Sequence, residues 1–459
     1  MSGDEEEVSH VWSETNRFVP RVFIRPAQEF IQVEAAGGLV LLGAAIVALI
    51  WANSPWSAGY EALWNTRIGF NVGELVQLDH LTLREWISDG AMAVFFFVVG
   101  LEIKRELIHG ELREPRAAAL PAIAALGGMI VPALIFLVFN AGTGSSHGWG
   151  IPMATDIAFA VGVISLLGTR VPSGAKLFLL TLAIVDDLGA IVVIAIFYTE
   201  SLEISWLVTA LVVLGLAANL RRINVRSLVP YVCLAVVSWY ALHESGVHTT
   251  LVGVAFGFIT PAWSFYNPKR FAPDARRLIG EVEKVFDDGR LDHQEHERIG
   301  LPLDEIRRLV TETQSPLERL EKRLNPWVSF FIIPLFALAN AGISLSGVSI
   351  SGIFGDRVVL GVFFGLVIGK TAGIFAATWL VCRLGFGVLP ERSSWSTMLG
   401  VSICAGVGFT VAIFVANLSF TEQKLVESAK LGVLAASIFA GFAGYIWLRF
   451  SPSSLKVNS

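Results

Sequence analysis

Four ionisable side chains lie deep inside apolar stretches of this chain. Asp156 lies in IPMATDIAFAVGVISLLG, Asp186 and Asp187 are adjacent in KLFLLTLAIVDDLGAIVVIAIFYT, and Lys370 lies in VFFGLVIGKTAGIFAATWL. A charged side chain at the centre of a bilayer costs roughly 2.5 to 3.5 kcal/mol on insertion scales, so such residues line a pathway or pair with one another. Three carboxylates and one ammonium therefore indicate a cavity that holds a cation or exchangeable protons.

The two adjacent carboxylates cannot share one partner. Neighbouring residues on an α-helix point about 100° apart, so one carboxylate can face the cavity while the other contacts Lys370 or a second helix. A desolvated carboxylate favours its protonated form, and a nearby ammonium or metal ion reverses that preference. Such a site binds either a proton or a cation, which is the minimal requirement for exchanging one for the other.

Two of the apolar stretches contain residues that interrupt a helix. Residues 152–156 read PMATD, and residues 400–414 read GVSICAGVGFTVAIF, which contains three glycines. Half-helices that end inside a membrane have dipoles that need compensation, which Asp156 would give to positive N-terminal ends and Lys370 to negative C-terminal ends. For residues 400–414, close helix packing through glycine is the alternative explanation.

The composition indicates a polytopic membrane protein. Of the 459 residues, 54% are hydrophobic and 16% are charged, whereas a soluble domain carries roughly 25% charged residues. The net charge of −5 provides no basic surface for nucleic acid, and the sequence has no Gly-rich phosphate loop and no Cys/His cluster with metal-ligand spacing. Nucleotide-driven transport is therefore disfavoured, and no cofactor is expected.

The apolar stretches predict an all-α membrane protein with about twelve transmembrane helices. They are expected near residues 32–52, 86–108, 118–140, 149–168, 175–198, 204–220, 228–242, 247–261, 326–345, 358–381, 397–418 and 429–449. Lys and Arg accumulate in alternate loops, so the positive-inside rule places both termini in the cytoplasm. The acidic N-terminus, MSGDEEEVSH, predicts no cleaved signal peptide.

These spans divide the chain into five regions. We expect a cytoplasmic N-terminal segment (1–31), eight transmembrane helices (32–261), a charged cytoplasmic insertion (262–325), four more transmembrane helices (326–449) and a cytoplasmic tail (450–459). In the external loop 53–85, partial alternation of apolar and polar residues predicts a β-hairpin at 66–83. The hairpin is either a solvated cap or a surface for a homodimer.

The insertion has a helical pattern of apolar residues. The spacing of Leu317, Leu320 and Leu324 predicts short amphipathic helices on the cytoplasmic face. A cluster of three ionisable residues, Asp292, His293 and His296, suggests a metal site, although a solvated face is the simpler interpretation.

An ordered set of motifs resembles the NhaA-type sodium/proton antiporter family. The motifs are VVGLEIKREL, ATDIAFAVGVISLLGTRVP, FLLTLAIVDDLGAIVVIAIFYT, SGVHTTLVGVAFGF, PLFALANAGISL, the IGK before Thr371, and GVGFTVAIF. The resemblance covers about residues 35–448, with 262–324 as the main departure. It implies inverted-topology repeats and two discontinuous helices that cross at the membrane midplane.

The resemblance also implies roles for individual residues. Asp187 would be the principal sodium or lithium ligand and the proton carrier, and Asp186 would be its partner, paired alternately with Lys370. Thr155 would contribute to the sodium site, and Thr155 and Asp156 would lie where the broken helices cross, opposite residues 406–410.

Four further residues match family positions that are linked to the pH response: Glu102, Glu106, Glu321 and His248. From the sequence alone, the first two glutamates equally suit ion partners of Lys104 and Arg105, and a lone histidine at a helix start equally suits a structural role. Around ERLEKRLNPW the family motif can carry histidines where this chain has Lys322 and Asn325. Histidine normally titrates near neutrality, so a different pH range is expected.

The function implied is electrogenic exchange of external protons for internal sodium or lithium across a bacterial inner membrane. The proton motive force would drive it by alternating access, in the service of pH and sodium homeostasis. Two other functions stay open. A sodium-coupled solute symporter would need a polar or aromatic substrate pocket beyond the carboxylates. An intramembrane aspartyl protease would need two carboxylates that share a proton across facing helices, for which Asp156 and Asp187 could meet.

Overall fold

The computed structural model describes residues 36–451 apart from 70, 73–75, 79–80, 200–201, 224, 284–292 and 345–353. The predicted N-terminal segment 1–31 and most of the predicted tail 450–459 lie outside the described residues. So do Asp292 and the side chains of His293 and His296, which form the suggested metal cluster.

The elements alternate between long helices and short, broken ones. Up to residue 222 they are α1 (Ala36–Ala52), α2 (Ser57–Trp64), β1 (Asn71–Val72), β2 (Val76–Gln77), α3 (Leu83–Ile108), α4 (Pro115–Asn140), a 3₁₀ helix (Ser146–Met153), α5 (Ile157–Ser165), α6 (Ser173–Phe197) and α7 (Ile204–Arg222). They continue with α8 (Leu228–Ser245), α9 (Thr250–Ile259), α10 (Pro268–Glu283), α11 (His293–Thr313), α12 (Pro316–Trp327), α13 (Ile333–Asn340), α14 (Arg357–Arg383), α15 (Trp395–Cys404), α16 (Phe409–Ser419) and α17 (Gln423–Phe450).

The two short strands form a hairpin in the loop for which the sequence predicts one. Asn71 pairs with Gln77 and Val72 with Val76, in antiparallel register. The charged segment 262–325 contains three helices, α10, α11 and α12, as the apolar spacing in that segment predicts.

Seven helices of the described part are long and apolar enough to cross a membrane, and nine spans result if each of two bent helix pairs is one span. The bent pairs are α1 with α2, at 116°, and α15 with α16, at 46°. Large apolar side chains cover the outer surface of these helices; Val138, for example, is 81% exposed. A surface of this kind suits lipid, so the chain is a multi-pass membrane protein.

The chain divides into two compact units. The first comprises Met1–Ser88, Ala119–Val193 and Ser329–Ser459, and the second comprises Asp89–Ala118 and Ile194–Val328. In the first unit, α5, α6, α14 and α15 share a core that includes Ile164, Leu182, Ile374 and Val401.

In the second unit, α3 and α9 pack with their backbones in contact. A Cβ added to Gly257 would lie 2.8 Å from the Cα of Gly100, and one added to Gly253 would lie 2.1 Å from the carbonyl oxygen of Ala93. Only glycine permits so close an approach at these positions. The helix that carries Glu102 and Glu106 is therefore held tightly to α9.

The same kind of contact joins α4 to α14 and gives a test of the packing. A Cβ on Gly127 would lie 2.4 Å from the carbonyl oxygen of Gly373. We expect Gly127→Ala to lower the melting temperature of the purified protein, because overpacking costs about 1 to 3 kcal/mol. Gly43→Ala is the matched control in helix α1, since nothing lies within 4 Å of its added Cβ. Equal melting temperatures for the two variants would contradict the close contact.

Candidate functional site

Two broken helices of the first unit meet at their breaks. The 3₁₀ helix ends at Met153, just after Pro152, and α5 begins at Ile157. The second break separates Cys404, the last residue of α15, from Phe409, the first residue of α16. Residues 152–156 and 400–414 are the stretches for which the sequence predicts interruption, and both predictions are confirmed.

Asp156 joins the two breaks through its backbone and its carboxylate. Its backbone N–H donates to the carbonyl oxygen of Val407 at 2.7 Å. Its Oδ1 accepts from the N–H of Phe159 at 2.9 Å, and its Oδ2 accepts from the N–H and the hydroxyl of Thr410 at 3.1 and 2.6 Å. One buried carboxylate therefore satisfies N-terminal donors of both α5 and α16, where the helix dipoles favour negative charge.

Lys370 binds the C-terminal end of a helix, whereas Asp156 binds N-terminal ends. It is fully buried, its Nζ donates to Oδ2 of Asp186 at 2.6 Å, and it also donates to the carbonyl oxygen of Met153. Because Met153 is the last residue of the 3₁₀ helix, the ammonium compensates a C-terminal end. Lys370 itself closes a π-helical turn in α14 (Gly365–Lys370), a distortion that is frequent at functional sites.

Thr155 lies between the breaks and the carboxylate pair. Its Oγ1 is 2.7 Å from Oδ2 of Asp186 and 3.2 Å from the carbonyl oxygen of Ala405, which follows the end of α15. The hydroxyl has a single hydrogen to donate, and it can direct that hydrogen to either acceptor. The structure thus brings together Thr155 and Asp186, two of the residues that the resemblance assigns to the sodium site.

The carboxylate pair on α6 is buried: Asp186 is 1% exposed and Asp187 is 3% exposed. Both charges act on the ammonium of Lys370. Oδ1 of Asp186 is buried and has no hydrogen-bond partner among the described residues. A buried acceptor of this kind requires a proton or a ligand, and the oxygens of two carboxylates and one hydroxyl are the donor type that hard cations prefer.

The second unit contains a separate charged cluster centred on Arg105. Its guanidinium lies 3.9 Å from Glu102 and 3.2 Å from Glu106, and it forms a hydrogen-bonded ion pair with Glu321 of α12. Burial raises the pKa of the Glu321 carboxyl, and the charge of Arg105 opposes that effect. Three of the four residues predicted for the pH response therefore share one cationic partner.

His248 is not part of that cluster. It precedes α9, and its Nε2 lies 3.1 Å from the carbonyl oxygen of Tyr198. At the other end of α9, buried Lys104 donates to the carbonyl oxygens of Phe258 (2.6 Å) and Thr260. Since α9 has ten residues, about 15 Å of helix separates these two sites.

Two residues have roles in the structure that the sequence analysis did not assign to them. Arg105 is the centre of the acidic cluster, for which the signal was a basic residue with glutamates three positions before it and one after it. Thr410 binds Asp156 through two groups. Its place two residues after Gly408, the second glycine of the break, was the signal.

The pair of Lys370 and Asp186 gives a prediction about stability. Lys370→Ala leaves a buried carboxylate without its cation, which typically costs about 3 to 5 kcal/mol. We expect a large fall in the melting temperature of the purified protein and a smaller combined loss when Asp186→Asn is added, because the uncompensated charge is then removed. Lys424→Ala, at an exposed position of α17, is the control. Additive losses in the double variant would show that the two side chains do not interact.

Comparison with known proteins confirms the resemblance expected from the motifs. The family model described as Na+/H+ antiporter 1 matches residues 28–448. The Na(+)/H(+) antiporter NhaA of Oleidesulfovibrio alaskensis is 45% identical over 428 residues, which cover 93% of this chain and 94% of that protein. The Na(+)/H(+) antiporter NhaA of Rhodopirellula baltica is 46% identical over 434 residues, covering 94% and 96%. The Na(+)/H(+) antiporter NhaA of Wolinella succinogenes is 45% identical over 427 residues, covering 91% and 92%.

The residues matched by the family model include both broken helices, the buried carboxylate pair and the Arg105 cluster. The exchange of sodium for protons is therefore the function, and the symporter and protease interpretations are set aside. The chain belongs to the NhaA family of sodium/proton antiporters, which are secondary transporters and not enzymes.

Proposed function

We propose that this antiporter exchanges its ions at Asp187, with Asp186 as a partner that alternates between Lys370 and the bound ion. The observation that carries the proposal is the arrangement around Asp186. One of its oxygens accepts from Lys370 at 2.6 Å and from Thr155 at 2.7 Å, while the other has no hydrogen-bond partner among the described residues. Asp186 thus has one oxygen that is hydrogen-bonded and one that can bind an ion. This arrangement suits a ligand that changes partners.

In this mechanism protons and sodium compete for the same carboxylates. When Asp186 turns to a sodium or lithium ion beside Asp187, Lys370 loses this partner and gives up a proton, but its amine keeps the hydrogen bond to Met153. When the ion leaves, Lys370 and Asp187 each take up a proton and the pair of Asp186 and Lys370 re-forms. Exchange of more protons than sodium ions makes the cycle electrogenic, so the proton motive force expels sodium or lithium and serves pH and sodium homeostasis.

Asp156 contributes to the exchange by holding the broken helices in place. Its three hydrogen bonds to α5 and α16 occupy both carboxylate oxygens. We therefore assign it a positioning role beside Thr155, whose hydroxyl can turn from Asp186 to the ion or to the carbonyl of Ala405.

For the architecture we propose twelve transmembrane helices in inverted repeats, with the two broken helices crossing at the midplane. Each of the twelve apolar stretches contains at least one helix or half-helix in the structure, and the two breaks contact each other. Alternating access then switches the carboxylate site between the two faces of a bacterial inner membrane. The alternate basic loops support a cytoplasmic location for both termini.

For the pH response we propose Glu102, Glu106, Glu321 and His248. The three glutamates share Arg105, so protonation of any one of them changes the charge balance that holds α12 to α3. His248 would act separately from this cluster, at the N-terminal end of α9.

The hairpin at 66–83 is the surface that we propose for a homodimer. Its two strands have two residues each, and the outer edge of a strand can pair with the same edge of a second copy.

The exchanging role of Asp187 has a direct test. Asp187→Asn is expected to abolish exchange, because an amide cannot alternate between a proton and a cation. Sodium- and lithium-dependent dequenching of a ΔpH-sensitive dye in everted vesicles measures the activity, and the amount of protein in the membrane controls for insertion. Glu203→Gln, an exposed acid before α7, should exchange normally. Wild-type rates in Asp187→Asn would refute the assignment.

Glu321 provides a prediction for the pH dependence of stability. Its pKa is raised above the ordinary value of 4.5, so the folded protein holds this proton more tightly than the unfolded chain. The resulting stabilisation is complete below that value and is lost as the pH rises through the folded-state pKa. We expect Glu321→Gln to remove this loss from melting curves recorded over a pH series. Glu391→Gln, at an exposed position before α15, should behave like the wild type, and parallel curves for all three proteins would contradict the prediction.

A further inference from the structure

We propose that one face of α10 binds the phosphate headgroups of anionic phospholipids. This basic face consists of Lys269, Arg270, Arg276 and Arg277, all of which are exposed. At about 100° per residue, the four side chains fall within an arc of about 120°. Leu278 lies on the opposite side of the helix and is buried, so the packing of α10 keeps the basic face turned outward.

The charges of α10 run against its helix dipole. Lys269 and Arg270 lie in the first turn, where the dipole disfavours cations, and this turn contains no acid. The acids of the last turn, Glu281 and Glu283, are at the far end of the helix. The first turn therefore has no acid of its own to compensate Lys269 and Arg270, and an anionic ligand would compensate both the side chains and the dipole.

Acidic side chains near the basic face do not neutralise it. Asp274 is half-buried and accepts a hydrogen bond from the hydroxyl of Tyr266. Arg277 lies 3.5 Å from Glu281 and 3.8 Å from Glu305, and all three side chains are largely exposed. Exposed pairs of this length are weak, so the guanidinium remains available to a stronger anion.

The basic end of α10 is held beside the end of a membrane-spanning helix. Arg226 follows α7 by four residues; its guanidinium stacks on the ring of Phe265 at 5.0 Å and donates to Glu312 at 2.7 Å. Phe265 is three residues before α10. Trp263, 63% exposed, lies in the same short connection, and tryptophan is typical of the headgroup level of a membrane.

A lipid surface is the ligand that fits these observations. It supplies several phosphates at once, at the level where α7 ends, and it also accommodates the exposed indole of Trp263. Basic residues next to a membrane end attract anionic lipids, and the attraction falls with distance and with salt.

The test compares lipid binding by the full chain and by a variant in which the four basic residues become Gln (K269Q, R270Q, R276Q and R277Q). The purified proteins are titrated with phosphatidylglycerol or phosphatidylcholine in detergent, and bound lipids are counted by native mass spectrometry. We expect phosphatidylglycerol to bind the wild type with a strong salt dependence and the variant at least about tenfold more weakly, since each basic residue contributes to the attraction.

Three controls keep the result specific. R307Q with R308Q removes two exposed arginines of α11 and should leave lipid binding unchanged. The charge-conserving variant (K269R, R270K, R276K and R277K) should bind like the wild type, and sodium-dependent exchange by the glutamine variant shows that it has folded. Equal phosphatidylglycerol binding by the wild type and the glutamine variant would overturn the proposal. Displacement of the lipid by equimolar inorganic phosphate would overturn it as well, because the site would then recognise free phosphate and not a membrane.

Discussion

The buried ammonium of Lys370 is the interaction on which the rest of the site depends. A charge without water is tolerated only if its partners are close and complete, and here the partners are Asp186 and the carbonyl oxygen of Met153. The second partner exists only because a helix ends at Met153, inside the apolar part of the protein. That early end in turn requires a break, and the break requires Asp156 to satisfy the helix starts on its other side. Removal of any one of these elements leaves another without its compensation.

The second unit also contains a buried lysine at a helix end, but the groups that accept its hydrogen bonds are of a different type. Lys104 is also buried, and it also donates to carbonyl oxygens at the end of a short helix, those of Phe258 and Thr260. These acceptors are backbone carbonyl groups, which carry no charge and do not take up a proton. Asp186 can do so, and this difference separates a cation that only stabilises a helix end from one that can take part in exchange.

The sequence predicted the buried charges and the helix breaks because both leave local signals. Pro152, Gly406 and Gly408 favour a helix break whatever the rest of the fold. Likewise, a charge in an apolar stretch needs a partner however the helices pack. The sequence offered Lys370 to one of the two adjacent aspartates and Arg105 to the nearby glutamates, but it did not predict the other partners. Arg105 and Glu321 are 216 residues apart, and the carbonyl of Met153 has no signal of its own. The hydropathy pattern also predicts spans where the helix is short or broken, such as α9. In the described part of the chain, the helices long enough to cross a membrane are therefore fewer than the apolar stretches.

The bonds of Asp156 explain why even a close substitute would fail at this position. One carboxylate oxygen serves Phe159 on α5, and the other serves Thr410 on α16. Asparagine has almost the same shape, but it offers one acceptor oxygen and replaces the other with a donor. It could cap either helix start, and its amide group would then face the N–H groups of the other. At this position the two-fold symmetry of a carboxylate is itself a structural requirement, because one side chain has to present the same chemistry in two directions.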